Sequence, residues 1–189
     1  MTRPTRRFPR PTAMAHLLVS DVVREGDTVV DATIGNGHDT LFLKRLVGSS
    51  GEVIGFDIQD QAIAQTRDRL GENNAVHLHL DSHENMSSYL DGEVNAVMFN
   101  LGYLPGGDQT VITIPESTLA ALKAASEHLA INGVITIVAY IGHEGGSDEA
   151  LKVDQWAEAL CPDHFSVIRY EFSNRKNKAP YLIGIQRLA

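Results

Sequence analysis

Cysteine and long apolar runs are scarce in this sequence, and each shortage excludes a class of protein. Only one of the 189 residues is cysteine, which excludes an intramolecular disulfide and any cysteine-based metal cluster. No apolar stretch approaches the ~20 residues that a membrane-spanning helix needs, and no internal repeat indicates a solenoid. We expect one compact domain, and we expect Cys161, which precedes Pro162 at a predicted helix end, to pack in the core.

The N-terminal segment lacks the apolar stretch of a secretory signal. Residues 1–11 are instead rich in arginine and proline, whereas a secretory signal needs an apolar central region. We therefore expect a cytoplasmic protein in which residues 1–11 form a flexible basic arm and residues 12–189 form the folded domain.

Apolar runs alternate with helical segments along the rest of the chain. We predict helices at residues 12–24, 39–47, 60–70, 115–129 and 148–160, and strands at residues 28–31, 53–57, 75–79, 94–100, 134–140, 165–172 and 181–186. Such alternation is typical of an α/β fold, in which crossover helices cover both faces of a mostly parallel sheet.

A glycine turn follows the first predicted strand. Asp31-Ala32-Thr33-Ile34-Gly35-Asn36-Gly37 ends an apolar run in an acid and a Gly-x-Gly turn, and the glycines let a ligand approach the backbone closely. A dinucleotide-binding turn would continue to a third glycine, where this chain has Thr40. The pattern resembles the first motif of class I S-adenosylmethionine (SAM) methyltransferases, which implies that Asp31 helps to hold the methionine ammonium group. The cofactor contacts predicted here are Asp31, Gly35, Asn36, Gly37, Asp39 and Thr40.

A second acid, Asp57, ends the next apolar run about 20 residues after the glycines, the spacing at which such folds place a carboxylate on a ribose. A carboxylate there accepts hydrogen bonds from both ribose hydroxyls and repels a 2′-phosphate, so it favours adenosine over NADP. Ile58 and Gln59 would flank the adenine. Alternatively, Asp57 caps the following helix, a role that Asp60 can also fill.

The loops after the third, fourth and fifth strands are rich in polar residues and glycine. Ligands in open α/β sheets bind beyond the carboxyl ends of the strands, so Asp81 and Ser82 would hydrogen-bond the adenine edge. His83 is predicted to contact the cofactor or the substrate, with a core or capping histidine as an equal alternative. We predict no metal site, because the eight histidines form no HExxH motif or comparable cluster.

Asn100-Leu101-Gly102-Tyr103 resembles the Asn-Pro-Pro-Tyr signature of amino-group methyltransferases, with both prolines replaced. Methyl transfer is an in-line displacement, so the nitrogen lone pair must face the methyl group at close range. The side-chain oxygen of Asn100 would accept a hydrogen bond from the amine and aim that lone pair, and Tyr103 would stack on a base. His83, Asp81 or water would accept the proton that an ammonium group must lose. The catalytic residues predicted are Asn100, Tyr103 and His83; the alternative is that Asn100 merely ends a buried strand.

Four blocks together carry a more specific resemblance. They are Asp-Ala-Thr-x-Gly-Asn-Gly-x-Asp-Thr at 31–40, Asp-Ser-His-Glu at 81–84, Asn-Leu-Gly-Tyr-Leu-Pro-Gly-Gly-Asp at 100–108 and Tyr-x-Gly-His-x-Gly-Gly at 140–146. Together they resemble the small bacterial family labelled rRNA methylases, whose characterised branch is the tRNA 5-aminomethyl-2-thiouridine methyltransferase. The similarity runs from about Thr12 to Leu188.

This resemblance implies a single-domain, Rossmann-like class I methyltransferase with a seven-stranded, mostly parallel sheet whose last strand inserts antiparallel. It implies SAM as the cofactor, in contact with Asn36, Asp39, Asp57, Gln59, Ser82, His83 and Asn100. It also implies a substrate site formed by Leu101, Gly102, Tyr103, Pro105, Gly106, Gly107, Tyr140 and His143. The chain departs from the family near its C-terminus, where Asn177-Lys178-Ala179-Pro180 replaces an Asn-x-Pro-Pro run.

The charge of the chain is at odds with an RNA substrate. The formal net charge is -8, whereas proteins that bind polyanions are usually basic. Two basic clusters nevertheless offer local positive charge. The first is Arg3, Arg6, Arg7 and Arg10, and the second is Arg175, Lys176 and Lys178. Each cluster is either an RNA contact or an exposed tail or loop. Such a protein would bind RNA weakly and with strong salt dependence, or as a homodimer that presents more positive surface.

These features together predict a SAM-dependent N-methyltransferase that acts on the aminomethyl group of a tRNA wobble uridine. A methyltransferase for rRNA or for a small amine is the alternative within the same class. A non-catalytic SAM-binding or nucleotide-binding module is the alternative from another class, and a dehydrogenase is the third.

Overall fold

Helices and strands alternate through the part of the chain that this computed structural model describes, which is residues 8–71, 74–102, 112–142, 145–175 and 179–189. The helices are α1 (Pro11–Val22), α2 (His38–Val47), α3 (Asp60–Leu70), α4 (Pro115–His128) and α5 (Gly146–Glu158), with a short 3₁₀ helix at His83–Ser88. The strands are β1 (Thr28–Asp31), β2 (Glu52–Asp57), β3 (Val76–Leu80), β4 (Val94–Leu101), β5 (Leu129–Ala139), β6 (Phe165–Tyr170) and β7 (Tyr181–Arg187). None of the described helices is both long and apolar enough to cross a membrane.

The seven strands form one sheet in the order β3-β2-β1-β4-β5-β7-β6. Neighbouring strands among β1 to β5 pair in parallel, while β7 lies between β5 and β6 and is antiparallel to both. The predicted α/β sheet and its antiparallel last strand are therefore confirmed. The order reverses between β1 and β4, which is where open α/β sheets bind their ligands.

Alternate residues of the central strands face opposite sides of the sheet, and each side is covered by helices. On β1, Val30 belongs to the core beneath α4 and α5, while Val29 belongs to the core beneath α1 and α2. Both valines are fully buried. Strands buried on both faces read as continuous apolar runs, which is why the sequence located them well.

Three differences from the sequence predictions go beyond a shift of one or two residues at the end of an element. Strand β5 begins at Leu129 instead of residue 134, because Leu129 pairs with Val94 before an irregularity, after which Val134 pairs with Ala96. The 3₁₀ helix at residues 83–88 was not predicted. The core position predicted for Cys161 is wrong, since this cysteine is exposed in the turn that joins α5 to β6.

Candidate cofactor and substrate site

A cavity of about 720 Å³ opens at the carboxyl ends of the parallel strands. Its volume lies in the range of small-molecule sites, roughly 300–1,000 Å³. Most of the predicted site residues line it, namely Gly35, Asn36, Asp39, Asp57, Ile58, Gln59, Asp81, Ser82, His83, Asn100, Leu101, Gly102 and Tyr140. The fold thus brings together residues from the loops after all five parallel strands.

Three predicted cofactor residues, Asp31, Gly37 and Thr40, do not line this cavity. Asp31 is fully buried, and its carboxylate accepts hydrogen bonds from Thr40 Oγ1 at 2.6 Å and from the Thr33 N–H at 3.2 Å. Burial, reinforced by the negative charge of Asp39, raises the pKa of Asp31 to about 7. Asp31 therefore holds the turn after β1 together through these hydrogen bonds. Its contact with the methionine ammonium group stays a prediction.

The glycine turn after β1 depends on backbone conformations that other residues rarely adopt. Gly35 and Gly37 have φ values of +52° and +73°. A Cβ on Gly37 would lie 2.4 Å from Thr66 Oγ1 on α3, so the position has no room for a side chain. Gly37 therefore serves helix packing, whereas Gly35 lines the cavity.

Asp57 joins the two loops of the expected adenosine site. Its carboxylate accepts hydrogen bonds from the Gly35 N–H at 2.8 Å and from the Gln59 N–H at 2.9 Å. Burial raises the pKa of Asp57. Because Gln59 directly precedes α3, Asp57 does steady the start of that helix, yet it also lines the cavity, where a ligand can reach it.

His83 lines the cavity and carries a buried acceptor without a partner among the described residues. Its Nδ1 lies 3.0 Å from the Ala32 carbonyl oxygen, and since a carbonyl can only accept, Nδ1 carries the proton. Burial lowers the pKa of His83, so the ring is neutral near neutral pH and Nε2 is an acceptor. Among the described residues, no polar atom pairs with this buried Nε2. This acceptor can be satisfied only by a hydroxyl or amine donor that comes close to the ring.

Asp81 is a rigid anionic acceptor at the cavity wall. It accepts hydrogen bonds from the Ser82 N–H at 2.7 Å, the Asn85 side chain at 2.9 Å and the Tyr89 hydroxyl at 2.7 Å. These hydrogen bonds lower the pKa of Asp81. The carboxylate can accept from an adenine amine, but it is a weak proton acceptor.

Asn100, at the end of β4, is held through both its backbone and its side chain. Its N–H donates to Thr33 Oγ1 at 2.7 Å, and its side-chain Nδ2 donates to Asp39 Oδ2. The second oxygen of Asp39 lies 2.6 Å from His16 Nε2 on α1. Among the described residues, none donates a hydrogen bond to the side-chain oxygen of Asn100, so this oxygen is open to a ligand.

Sequence reasoning missed several residues around the substrate end. His16 and Thr113 line the cavity, and Glu149, only 2% exposed, accepts hydrogen bonds from Thr113 Oγ1 and Thr118 Oγ1, each at 2.7 Å. Thr113 also exchanges two hydrogen bonds with Gly102, each 3.0 Å long. No local motif marks these residues, because their partners lie 23 or more positions away in sequence, apart from the Gly102–Thr113 pair.

Some predictions fall on residues that the structure does not describe. They concern the site residues Tyr103, Pro105, Gly106, Gly107 and His143, and the basic residues Arg3, Arg6, Arg7, Lys176 and Lys178. Within the described ranges, no group of three or more His, Cys, Asp or Glu side chains is placed to hold a metal ion.

Comparison with known proteins assigns the chain to a family. The family model described as "Putative rRNA methylase" matches residues 53–186. The chain belongs to this rRNA methylase family. One relative is the tRNA (mnm(5)s(2)U34)-methyltransferase, chloroplastic, of Arabidopsis thaliana, which is 38% identical to this chain over 187 residues. The match covers 92% of this chain and 68% of that relative.

Solved structures agree with this assignment. The crystal structure of a "putative rRNA-methylase" from Clostridium thermocellum matches with a TM-score of 0.94 and 45% identity. The match covers 97% of the present chain and 100% of the Clostridium chain. A "putative methyltransferase" from Streptococcus mutans in complex with SAH has a TM-score of 0.88 and 37% identity, with coverage of 96% and 99%. The predicted class I fold and the predicted SAM-dependent methyltransferase class are therefore confirmed.

Proposed function

We propose that this methyltransferase methylates the nitrogen of the 5-aminomethyl group on 2-thiouridine at the wobble position of tRNA. The observation that carries the proposal is the Asn100 side chain, whose Nδ2 is bound to Asp39 and whose oxygen is left for a ligand in the cavity. The name of the Arabidopsis relative supports the tRNA substrate, and the likeness of residues 100–103 to amino-group methyltransferases supports a nitrogen acceptor.

The cavity residues fit SAM, which supplies an activated methyl group on a positively charged sulfur. Asp57 would accept from the ribose hydroxyls, as carboxylates at this position in the fold do. The unpaired His83 Nε2 would accept from a hydroxyl or amine donor of the adenosine. Gln59 and Ser82 also line the cavity and would complete this end of the site.

At the other end, Asn100 would orient the substrate amine. Its side-chain oxygen accepts a hydrogen bond from the amine N–H, which turns the nitrogen lone pair into the cavity. The N–CH₃ bond would form as the bond between that methyl group and the SAM sulfur breaks, which leaves a neutral thioether, and the nitrogen would release one proton. The lowered pKa values of His83 and Asp81 make both weak proton acceptors, so we assign the proton to solvent.

The described part of the two basic clusters supports an RNA substrate. The Tyr170 hydroxyl donates to the Pro9 carbonyl oxygen at 2.8 Å, which places the segment before Arg10 against the end of β6. Just beyond β6, the guanidinium of Arg175 lies 4.7 Å from the centre of the Phe172 ring. Exposed arginines beside the half-buried Tyr170 and Phe172 rings suit single-stranded RNA, which binds by stacking and charge.

Two features favour a different acceptor. The family description names rRNA, and the net charge of -8 favours a small amine over any polyanion.

The homodimer and the cytoplasmic location remain predictions.

The test is incubation of the protein with radiolabelled SAM and three acceptors: tRNA from cells that lack the final wobble methyl, rRNA, and a small alkyl amine. We expect label in 5-methylaminomethyl-2-thiouridine and little in the other two. Label in rRNA or the small amine would contradict the tRNA assignment. Binding of SAM without any turnover would indicate the non-catalytic module instead.

A further inference from the structure

We propose that His16 is a positioning residue of the methyl-transfer site, which acts through Asp39 to fix the direction that the Asn100 amide faces. This inference rests on the proposed amine acceptor. His16 lies on α1, outside every motif that the sequence singled out, and it lines the cavity.

Three side chains form a continuous hydrogen-bonded chain. His16 Nε2 lies 2.6 Å from Asp39 Oδ1, and Asp39 Oδ2 accepts from Asn100 Nδ2. The chain joins α1, the first turn of α2 and the end of β4. All three residues line the cavity.

The central carboxylate dictates how the amide is turned. An ionised carboxylate can only accept hydrogen bonds, whereas an asparagine side chain has a donor end and an acceptor end. Asp39 therefore selects the Nδ2 end of Asn100 and directs the oxygen away from itself. If Asp39 moved, the amide would be free to turn over and present a donor to the amine, which would no longer hold the lone pair in line.

His16 in turn holds Asp39. Its ring stacks on Phe42 with ring centres 3.8 Å apart and planes 4° from parallel, so the imidazole has little freedom to rotate. Asp39 is also at the start of α2, where the helix dipole favours a negative charge. A fixed imidazole N–H on one oxygen leaves the other oxygen aimed at Asn100.

The experiment compares His16→Gln with His16→Phe in the full chain. Glutamine places an amide N–H near the position of Nε2, whereas phenylalanine keeps the stack on Phe42 but has no donor. We expect His16→Phe to lower kcat by ~10-fold or more, as misplacement of a reacting group does. The KM for tRNA and the Kd for SAM should change by less than ~3-fold, because uniform binding is retained. His16→Gln should recover most of the lost kcat.

A second readout does not depend on turnover. The side-chain NH₂ resonances of Asn100 in a ¹⁵N-edited NMR spectrum, assigned by their loss in Asn100→Ala, report the hydrogen bond to Asp39. We expect them to shift in His16→Phe and to stay near the wild-type position in His16→Gln. His16→Ala replaces His16→Phe if the latter does not fold.

Two results would overturn the inference. One is a His16→Gln variant as slow as His16→Phe, which would make His16 a proton acceptor. The other is an unchanged Asn100 resonance in His16→Phe. If the wild-type protein failed to methylate tRNA while the NMR shifts followed the expected pattern, the proposed substrate would be wrong and the positioning of Asn100 by His16 would stand.

Discussion

The cofactor end and the substrate end of the cavity are held in place by different kinds of contact. At the cofactor end, Asp57 on β2 binds the backbone of the adjacent turn after β1, and His83 binds the Ala32 carbonyl of the same turn. At the substrate end, Asn100 depends on Asp39 and His16, and Gly102 depends on Thr113 and the buried Glu149. One end is built from neighbouring strand ends, while the other relies on helices from distant parts of the chain.

This difference predicts that the two ends can be damaged separately. Substitutions at the substrate end should reduce turnover while leaving SAM affinity nearly intact. Substitutions in the turn after β1 should reduce SAM affinity and stability together.

Replacement of Asn100 by alanine gives the largest expected effect. We expect turnover to fall by ~10² or more with SAM affinity within a few fold of wild type, because the amide is used mainly to orient the nucleophile. Steady-state kinetics and calorimetric titration of SAM measure the two quantities. Asn95→Ala, near the opposite end of β4, is the matched control. Equal losses in kcat and SAM affinity would show that Asn100 belongs to the cofactor end.

Gly37→Ala should destabilise the turn. The substitution combines a φ of +73° with a Cβ only 2.4 Å from Thr66 Oγ1, which together cost about 2–3 kcal/mol of unfolding free energy. Gly71→Ala is the control, since its φ is +63° and its Cβ would meet nothing within 4 Å. Urea unfolding should therefore show a clearly smaller loss for Gly71→Ala. Similar losses in both variants would mean that α3 packing does not restrict Gly37.

Asp31→Asn tests whether Asp31 is buried and protonated in the folded protein. Burial raises the pKa of Asp31 to about 7 in the folded protein, whereas its pKa in the unfolded chain is the ordinary 3.8. Between these two values the folded state holds a proton that the unfolded state has released. Folding stability from this group is therefore present below about pH 4 and lost as pH rises to about 7. Relative to wild type, we expect Asp31→Asn to gain about 2 kcal/mol between pH 5 and pH 7.

Urea unfolding at both pH values measures that gain, with SAM affinity recorded alongside. Parallel pH dependences in the two proteins would contradict the buried, protonated state of Asp31. A large loss of SAM affinity in Asp31→Asn would support the predicted contact with the methionine ammonium group.

Glu149→Ala should have the smallest effect of the four. It removes the acceptor of Thr113 and Thr118, so the pairing of Thr113 with Gly102 loosens at the substrate end. We expect kcat/KM for tRNA to fall by about tenfold, which corresponds to the free energy of one lost buried hydrogen bond. SAM affinity should not change. The exposed Glu158 on the same helix provides the control variant, Glu158→Ala. If Glu149→Ala and Glu158→Ala had equal effects, Glu149 would not be supporting the substrate end.

The sequence placed residues at strand ends better than the helix residues that contact them, for a physical reason. The carboxyl ends of parallel strands share one sheet edge, so strand prediction alone places Asp57, Asp81 and Asn100 together. Contacts such as His16 with Asp39 require the packing angle of α1, which periodicity does not encode. Likewise, Cys161 was misplaced because residue type favours burial, while its position in a turn exposes it.

Single-turnover methylation of a matched tRNA pair tests the central claim most directly. One tRNA carries 5-aminomethyl-2-thiouridine at the wobble position and the other carries an unmodified 2-thiouridine there, and nucleoside mass spectrometry locates any added methyl. We predict one methyl group on the side-chain nitrogen of the first tRNA, slowed by ~10² or more in Asn100→Ala, and none on the second. Equal methylation of both tRNAs, or a methyl on any other atom, would contradict the account.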